Sequence, residues 1–180
     1  MFKSKYLPLA LVATIAGASM TSCFSDSDEE TWNDYAEWRQ TNEDWLAAQE
    51  ATGNYTKVVP KWNPNLYVLM RWLNDTSLTS GNLTPLLTSE VTVKYKGMLY
   101  DGTPFDSTYA FTDSVASMVL TNVIVGWPIA LEQMHVGDDV EILIPYQSAY
   151  GSSSIGDIDP YSALKFRVEL VDIPAYEIKP

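Results

Sequence analysis

The sequence contains one cysteine, Cys23, and one histidine, His135, among its 180 residues. The chain therefore cannot form a disulfide framework or a cysteine-rich zinc site, and any relay that needs histidine must use His135. His135 lies in a Met-His-Val-Gly-Asp stretch, which is typical of a helix that ends in a turn and favours a structural role. We expect chemistry that needs no nucleophile, no metal and no cofactor.

Basic residues are also scarce, with 11 Lys and Arg against 23 Asp and Glu and a formal net charge of −12. A chain of this charge should repel nucleic acid and anionic lipid headgroups. The composition, 46% apolar and 19% charged, is that of a globular protein, and the length suits one ordinary domain with an appendage. We predict no nucleic-acid partner.

The first 22 residues have the layout of an export signal. A positive start with Lys3 and Lys5 precedes an apolar stretch from Tyr6 to about Met20. That stretch falls short of the roughly 20 apolar residues that a transmembrane helix needs. Residues 1–22 are therefore predicted to be a signal peptide, and the chain beyond them, with 9 basic and 23 acidic residues, carries a charge of −14.

Cys23 follows the signal in the sequence Met20-Thr21-Ser22-Cys23, which resembles a bacterial lipobox with Met in place of the usual Leu. In such signals the chain is cut before the cysteine, which then receives the lipid. We predict lipid attachment at Cys23, and more than one acyl chain gives stable anchoring. The alternative is an accidental thiol in a cleaved peptide. The prediction places the protein outside the cytoplasm, anchored to a bacterial membrane.

Residues 23–30 are short, polar and acidic, as expected of a flexible tether. The segment also resembles the acidic tag that directs some bacterial lipoproteins to the outer face of the outer membrane. The sequence leaves open which face of the membrane the domain occupies.

Residues 31–54 are predicted to form an amphipathic helix from about Trp32 to Ala51, with Thr31 as its cap and Gly53 as its stop. Its aromatic and apolar side chains recur at helical spacing. They are Trp32, Tyr35, Trp38, Trp45 and Leu46. We expect this stripe to pack on the following domain. A homodimer through the helix is the alternative, because an exposed tryptophan stripe is costly.

From Tyr55 onward the apolar period changes to two, and residues 55–180 form the predicted main domain. Strands are expected at 66–73, 91–95, 140–144 and 164–170, with a short helix over 128–134 that begins at Pro128. Several antiparallel strands with one short helix define an α+β fold.

Six motifs in this region occur in order and at suitable spacing. They are Tyr-x-Gly at 95–97, Asp-Gly-x-x-Phe-Asp-Ser at 101–107, Val-Ile-x-Gly-Trp at 123–127, Met-x-Val-Gly-Asp at 134–138, Ala-Tyr-Gly at 149–151 and the alternating last strand. Together they resemble FKBP-type peptidyl-prolyl cis-trans isomerases over about residues 66–173. The resemblance implies an antiparallel sheet wrapped around the short helix and an activity on proline-containing peptide segments.

The resemblance also implies a substrate pocket between sheet and helix. Its apolar members would be Phe105, Val123, Ile124, Trp127, Ile158 and Phe166, and its polar members Tyr95, Asp106 and Tyr150. Trp127 would form the floor and Ile158 would lie in a flap loop. Tyr150 would offer its hydroxyl to a substrate carbonyl, and Asp106 would lie at the rim beside Tyr95.

The chain departs from the family pattern at the rim of this pocket. The family often has an arginine shortly after the Phe-Asp pair, whereas this chain has no Lys or Arg between Gly97 and Leu164. Ala116 and Met118 stand where an aromatic pair is expected. The sequence therefore predicts an enlarged pocket with an acidic rim. A peptide-binding or chaperone module without catalysis, and more weakly a surface adhesion lipoprotein, are the alternatives.

Overall fold

The structure is a computed structural model that describes residues 26–110 and 114–175. The predicted signal peptide and the predicted lipid attachment at Cys23 lie outside the described residues. The helices are α1 (Asp26–Asp34), α2 (Ala36–Ala51) and α3 (Gly126–Leu131). The strands are β1 (Thr56–Val58), β2 (Val68–Trp72), β3 (Glu90–Leu99), β4 (Pro104–Ser107), β5 (Ala116–Val119), β6 (Asp139–Ile144) and β7 (Leu164–Asp172). Short 3-10 turns occur at Thr76–Leu78, Thr108–Ala110, Leu120–Asn122 and Tyr146–Ser148.

The strands form one antiparallel sheet in the order β1-β2-β6-β7-β3-β4, and β5 pairs with β3 outside this path. All six residues of α3 are buried, and its side chains share the main apolar core with residues of β2, β3, β6 and β7. The predicted antiparallel sheet around a short helix is therefore confirmed.

The last strand shows the predicted alternation, with Leu164, Phe166, Val168 and Leu170 all buried. In β6, by contrast, both faces are covered. Leu143 is buried in a second cluster with Leu46 of α2 and with Leu69 and Ala163, because α2 packs against that face of the sheet.

The N-terminal segment contains two helices where one was predicted. α1 begins at Asp26, inside the range 23–30 assigned to a flexible tether, so Thr31 lies within α1 and is not its cap. The break falls at Tyr35, whose φ of −100° and ψ of 16° leave the helical region. The predicted stop is confirmed, since α2 ends at Ala51 and Gly53 follows with φ of +71°.

The aromatic stripe of α2 packs within its own chain, as expected. The rings of Trp38 and Trp45 contact Tyr100 edge to face, with centroids 5.4 and 6.4 Å apart. Trp32 of α1 meets Tyr161 in the same way at 5.4 Å. Among the described residues, no helix is long and apolar enough to cross a membrane.

α3 begins two residues before the predicted helix, so Pro128 takes its third position. Proline is tolerated there because the first N–H groups of a helix have no intrahelical partner. A Cβ on Gly126 would lie 2.5 Å from Cγ2 of Ile144 and 3.0 Å from the backbone oxygen of Ser148. Glycine therefore allows α3 to start in close contact with the sheet.

Candidate active site

An apolar cavity of about 450 Å³ opens between α3 and the strands β3, β4, β5 and β7. Five of its lining residues are aromatic. The lining consists of Tyr95, Phe105, Asp106, Met118, Asn122, Val123, Ile124, Trp127, Tyr150 and Phe166. Convergent aromatic rings with a few polar groups are typical of a ligand-binding cavity.

Trp127 is central to the aromatic wall and is only 4% exposed. Its ring meets Tyr95 and Phe166 edge to face, with centroids 5.3 and 5.4 Å apart. Phe105 meets Phe166 in the same way at 5.6 Å. Such contacts favour one arrangement of the rings over others. The wall is therefore preformed, and the close approach of α3 at Gly126 fixes its depth.

A polar pair closes one side of the cavity. The Tyr95 hydroxyl donates a hydrogen bond to Oδ2 of Asp106 at 2.5 Å. The pairing of β3 with β4 sets this geometry, since it places Asp106 opposite Gly97, two residues after Tyr95. Burial and the bond to the nearby carboxylate raise the pKa of Tyr95 well above its usual value. Tyr95 is therefore a neutral donor whose hydrogen is already used.

Tyr150 presents a second phenol to the same cavity. Burial and then the negative charge of Asp106 raise the pKa of Tyr150, so this hydroxyl also stays protonated at neutral pH. Whereas the Tyr95 hydroxyl has a partner, none of the described residues forms a hydrogen bond with the Tyr150 hydroxyl. Tyr150 is therefore the donor available to a bound ligand.

A tight turn positions Tyr150. The 3-10 turn Tyr146–Ser148 leads into Gly151, whose φ of +62° favours glycine. The Gly151 N–H donates to the Tyr146 carbonyl at 2.9 Å, and the Gly151 carbonyl accepts from the Tyr161 N–H at 2.8 Å. These two hydrogen bonds hold the backbone on both sides of Gly151 in place within the long β6–β7 loop.

Eight of the nine side chains predicted from sequence line this one cavity, and Ile158 does not. Ile158 is 4% exposed and lies in the main core, where its backbone forms two hydrogen bonds with Ile155 at 2.9 and 3.0 Å. Met118 on β5 lines the wall at a position where the family pattern has one of an aromatic pair. Sequence reasoning missed Asn122, since no motif marks the end of the 3-10 turn that carries it.

The charge of the site is acidic. Asp106 is the charged residue of the lining, and the cavity contains no Lys or Arg. Within the part of the chain that the structure describes, no cluster of three or more His, Cys, Asp or Glu side chains could hold a metal ion. The arrangement offers an apolar aromatic surface, one free phenol donor and a carboxylate at the rim.

A larger groove of about 790 Å³ lies elsewhere, between residues 58–62, residues 81–86 and the end of α3. It contains none of the predicted site residues. Trp62, the one aromatic residue of its lining, is 62% exposed, so the groove has no wall of packed rings like that of the aromatic cavity. The smaller cavity is therefore the better candidate for chemistry.

This combination of a sheet wrapped around a short buried helix and an aromatic cavity is that of the FKBP class. The family model described as FKBP-type peptidyl-prolyl cis-trans isomerase matches residues 81–171. The peptidyl-prolyl cis-trans isomerase Mip of Coxiella burnetii is 40% identical over 115 residues, which cover 63% of this chain and 50% of that protein. The outer membrane protein MIP of Legionella longbeachae is 34% identical over 126 residues, which cover 69% and 54%.

A crystal structure of a peptidyl-prolyl cis-trans isomerase from Pseudomonas syringae pv. tomato is similar with a TM-score of 0.65 and 27% identity, covering 77% of this chain and 95% of that one. The chain spans about half the length of these two curated relatives. The chain belongs to the FKBP-type peptidyl-prolyl cis-trans isomerase family.

Proposed function

We propose that the protein is a peptidyl-prolyl cis-trans isomerase that acts on X–Pro bonds of exported proteins. The observation that supports this most directly is the aromatic cavity with Trp127 at its floor and the unused Tyr150 hydroxyl at its edge. Family membership and the preformed rings agree with it.

The reaction needs no nucleophile, because the barrier to rotation of about 18–20 kcal/mol arises from resonance in the planar amide. The planar amide is more dipolar than the twisted one, so water stabilises the ground state more than the transition state. An apolar cavity removes that solvation and favours the twisted form. Tyr150 donates to a substrate carbonyl, and the Ile124 N–H bonds the bound peptide. A 10⁴-fold acceleration requires about 5–6 kcal/mol.

The substrate roles are assigned accordingly. Proline binds over Trp127, with walls formed by Tyr95, Phe105, Val123, Ile124 and Phe166. Asp106 keeps the Tyr95 ring in place through their hydrogen bond. Ile158 contributes through the packing of the flap loop, since its side chain lies in the core.

The test follows cis–trans exchange of short X–Pro peptides by NMR in the presence of the full-length chain. Tyr150→Phe and Trp127→Phe should each slow the catalysed exchange, because one removes the donor and the other reshapes the floor. Tyr109→Phe is the matched control, since Tyr109 is 49% exposed and does not line the cavity. A folded native chain that leaves the exchange rate unchanged would refute the enzyme assignment. Peptide binding in the same spectra would then favour the non-catalytic binding module.

We further propose an extracytoplasmic location with a lipid anchor on Cys23. The leader, the lipobox-like sequence and a relative named as an outer membrane protein support this. Cys23→Ser should move the protein from the membrane fraction to the soluble fraction, whereas a protein that stays in the membrane would contradict the anchor. Protease added to intact cells would distinguish the periplasmic face from the surface.

Homodimerisation through the N-terminal helices stays a prediction that light scattering can test. Because Trp38 and Trp45 already pack against Tyr100, we expect the monomer to predominate.

A further inference from the structure

Helix α2 is bonded to the loop that carries the candidate catalytic phenol. The indole N–H of Trp38 donates to Oγ of Ser162 at 3.1 Å. Asn42, only 1% exposed, accepts from the Ala163 N–H at 2.9 Å and donates to the Trp38 carbonyl at 2.8 Å. Because both bonds involve buried side chains, α2 and the end of the β6–β7 loop form one unit.

The same loop contains a backbone conformation that requires support. Tyr161 has φ of +62°, the only positive value at a non-glycine residue among the described residues. Such a conformation costs on the order of 1–3 kcal/mol and persists only where its surroundings determine it. Edge-to-face contacts with Trp32 at 5.4 Å and Tyr146 at 5.3 Å hold its ring, and Arg39 of α2 lies 5.3 Å from it.

A single backbone hydrogen bond links Tyr161 to the residue that follows Tyr150 of the candidate active site. Its N–H donates to the Gly151 carbonyl at 2.8 Å, and Gly151 follows Tyr150 directly. Ser162 adds a second tie within the loop, because its hydroxyl donates to the Asp159 carbonyl at 2.7 Å. A shift of α2 away from the domain would therefore release residues 161–163 and, through Gly151, the backbone of Tyr150.

We propose that Trp38 and Asn42 of α2 are positioning residues of the isomerase, which act through the β6–β7 loop to hold Tyr150 in the cavity. The proposal rests on the function proposed above. It assigns the N-terminal helix a role in the reaction in addition to its place between the membrane anchor and the domain.

The test measures kcat/KM for an X–Pro peptide with the full-length chain and two variants. Asn42→Ala and Trp38→Phe should each lower kcat/KM about fivefold, the equivalent of one ordinary hydrogen bond. Gln40→Ala is the matched control on the same helix, because Gln40 is exposed and bonds only to Asp44. Its kcat/KM should equal that of the native chain.

A second control separates positioning from loss of stability. Thr79→Ala removes a buried bond to Asp138 far along the chain from α2 and does not touch the cavity. It should lower the melting temperature, as Asn42→Ala does, without lowering kcat/KM at a temperature where both variants are folded. An equal loss of kcat/KM in Thr79→Ala would overturn the proposal.

The decisive comparison repeats Asn42→Ala in the Tyr150→Phe background. If Asn42 acts through Tyr150, the double variant should be no slower than Tyr150→Phe alone. Losses that multiply in the double variant, or no loss in either single variant of α2, would overturn the proposal.

NMR distinguishes failure of this proposal from failure of the enzyme assignment. Asn42→Ala should shift the amide signals of Tyr150 and Gly151 and speed hydrogen exchange at the Tyr161 N–H. If the native chain does not accelerate cis–trans exchange of the peptide, the isomerase assignment fails. Unchanged amide signals in Asn42→Ala would overturn the coupling of α2 to the loop, whatever the result for the enzyme assignment.

Discussion

Gly97 lies in β3 directly behind the aromatic wall, which makes Gly97→Ala a sharp perturbation of the cavity. An added Cβ would lie 2.7 Å from both Cε2 and Cζ of Phe105 and 2.8 Å from Cε1 of Phe166. Ordinary contacts begin at 3.4 Å. The two rings must therefore move by about 0.7 Å, since a close-packed interior has no room to absorb the new methyl group.

The expected cost follows from two opposing effects. Overpacking of this kind costs about 1–3 kcal/mol. The lower entropy of the unfolded chain with alanine returns about 0.4–1 kcal/mol. The free energy of unfolding should fall by about 1–2 kcal/mol, and the melting temperature by about 2–4 °C for each kcal/mol. Because Phe105 and Phe166 line the cavity, kcat/KM for an X–Pro peptide should also fall.

Urea denaturation and the NMR exchange assay measure the two effects on the same sample. Gly81→Ala is the matched control, because a Cβ there would meet nothing within 4 Å and the backbone φ is not positive. It should leave stability unchanged or slightly raised. If Gly97→Ala were as stable and as active as Gly81→Ala, the preformed packing of the wall would be refuted.

Four further predictions concern hydrogen bonds and charge. Tyr95→Phe removes the hydrogen bond that holds the Tyr95 ring beside Asp106 and should lower kcat/KM about tenfold, and equal activity would contradict the bond's role. Since the raised pKa values of Tyr95 and Tyr150 keep both phenols protonated, catalysed exchange should not vary between pH 6 and 9, and a midpoint near 7 would contradict this. Above about pH 10 the fold should lose stability, because unfolded tyrosines then ionise first. Burial alone would raise the pKa of Asp138, but the His135 N–H and three side chains hold it below its usual value. Asp138→Asn should therefore lower the free energy of unfolding by about 1–3 kcal/mol at pH 7. The difference between the two chains should shrink as the pH falls below about 4, because the native Asp138 carboxylate then becomes protonated. A difference in urea denaturation that stays constant with pH would contradict this.

The strands were predictable because their signals are local and periodic, whereas the cavity was predicted from the resemblance of six ordered motifs to the FKBP family. Alternation from Leu164 to Leu170 survives in the fold because one face of that strand packs in the main core, while the side chains between are less buried. Tyr95 lies in the middle of β3, Phe105 in β4 and Trp127 in the first turn of α3. The pairing of β3 with β4 and β7 and the packing of α3 on the sheet bring these residues into one cavity.

The remaining features depend on contacts that a single sequence does not display. Leu143 is buried because α2 covers its face of the sheet through Leu46, a contact between distant parts of the chain. Ile158 was assigned to the pocket by family pattern, but its bridge to Ile155 directs it into the core. Residues 26–30 likewise lie in α1, where the acidic composition had favoured a flexible linker.

The absence of basic residues from the cavity gives its two phenols different tasks. Asp106 is an exposed carboxylate at the rim, where one donor of the cavity lining bonds to it. With no arginine in the lining, that donor is the Tyr95 hydroxyl. Burial, and then the same negative charge, raise the pKa of Tyr150 and keep its proton in place. One phenol therefore bonds the carboxylate at the rim, and the other remains a neutral donor, which the proposed function assigns to a peptide carbonyl.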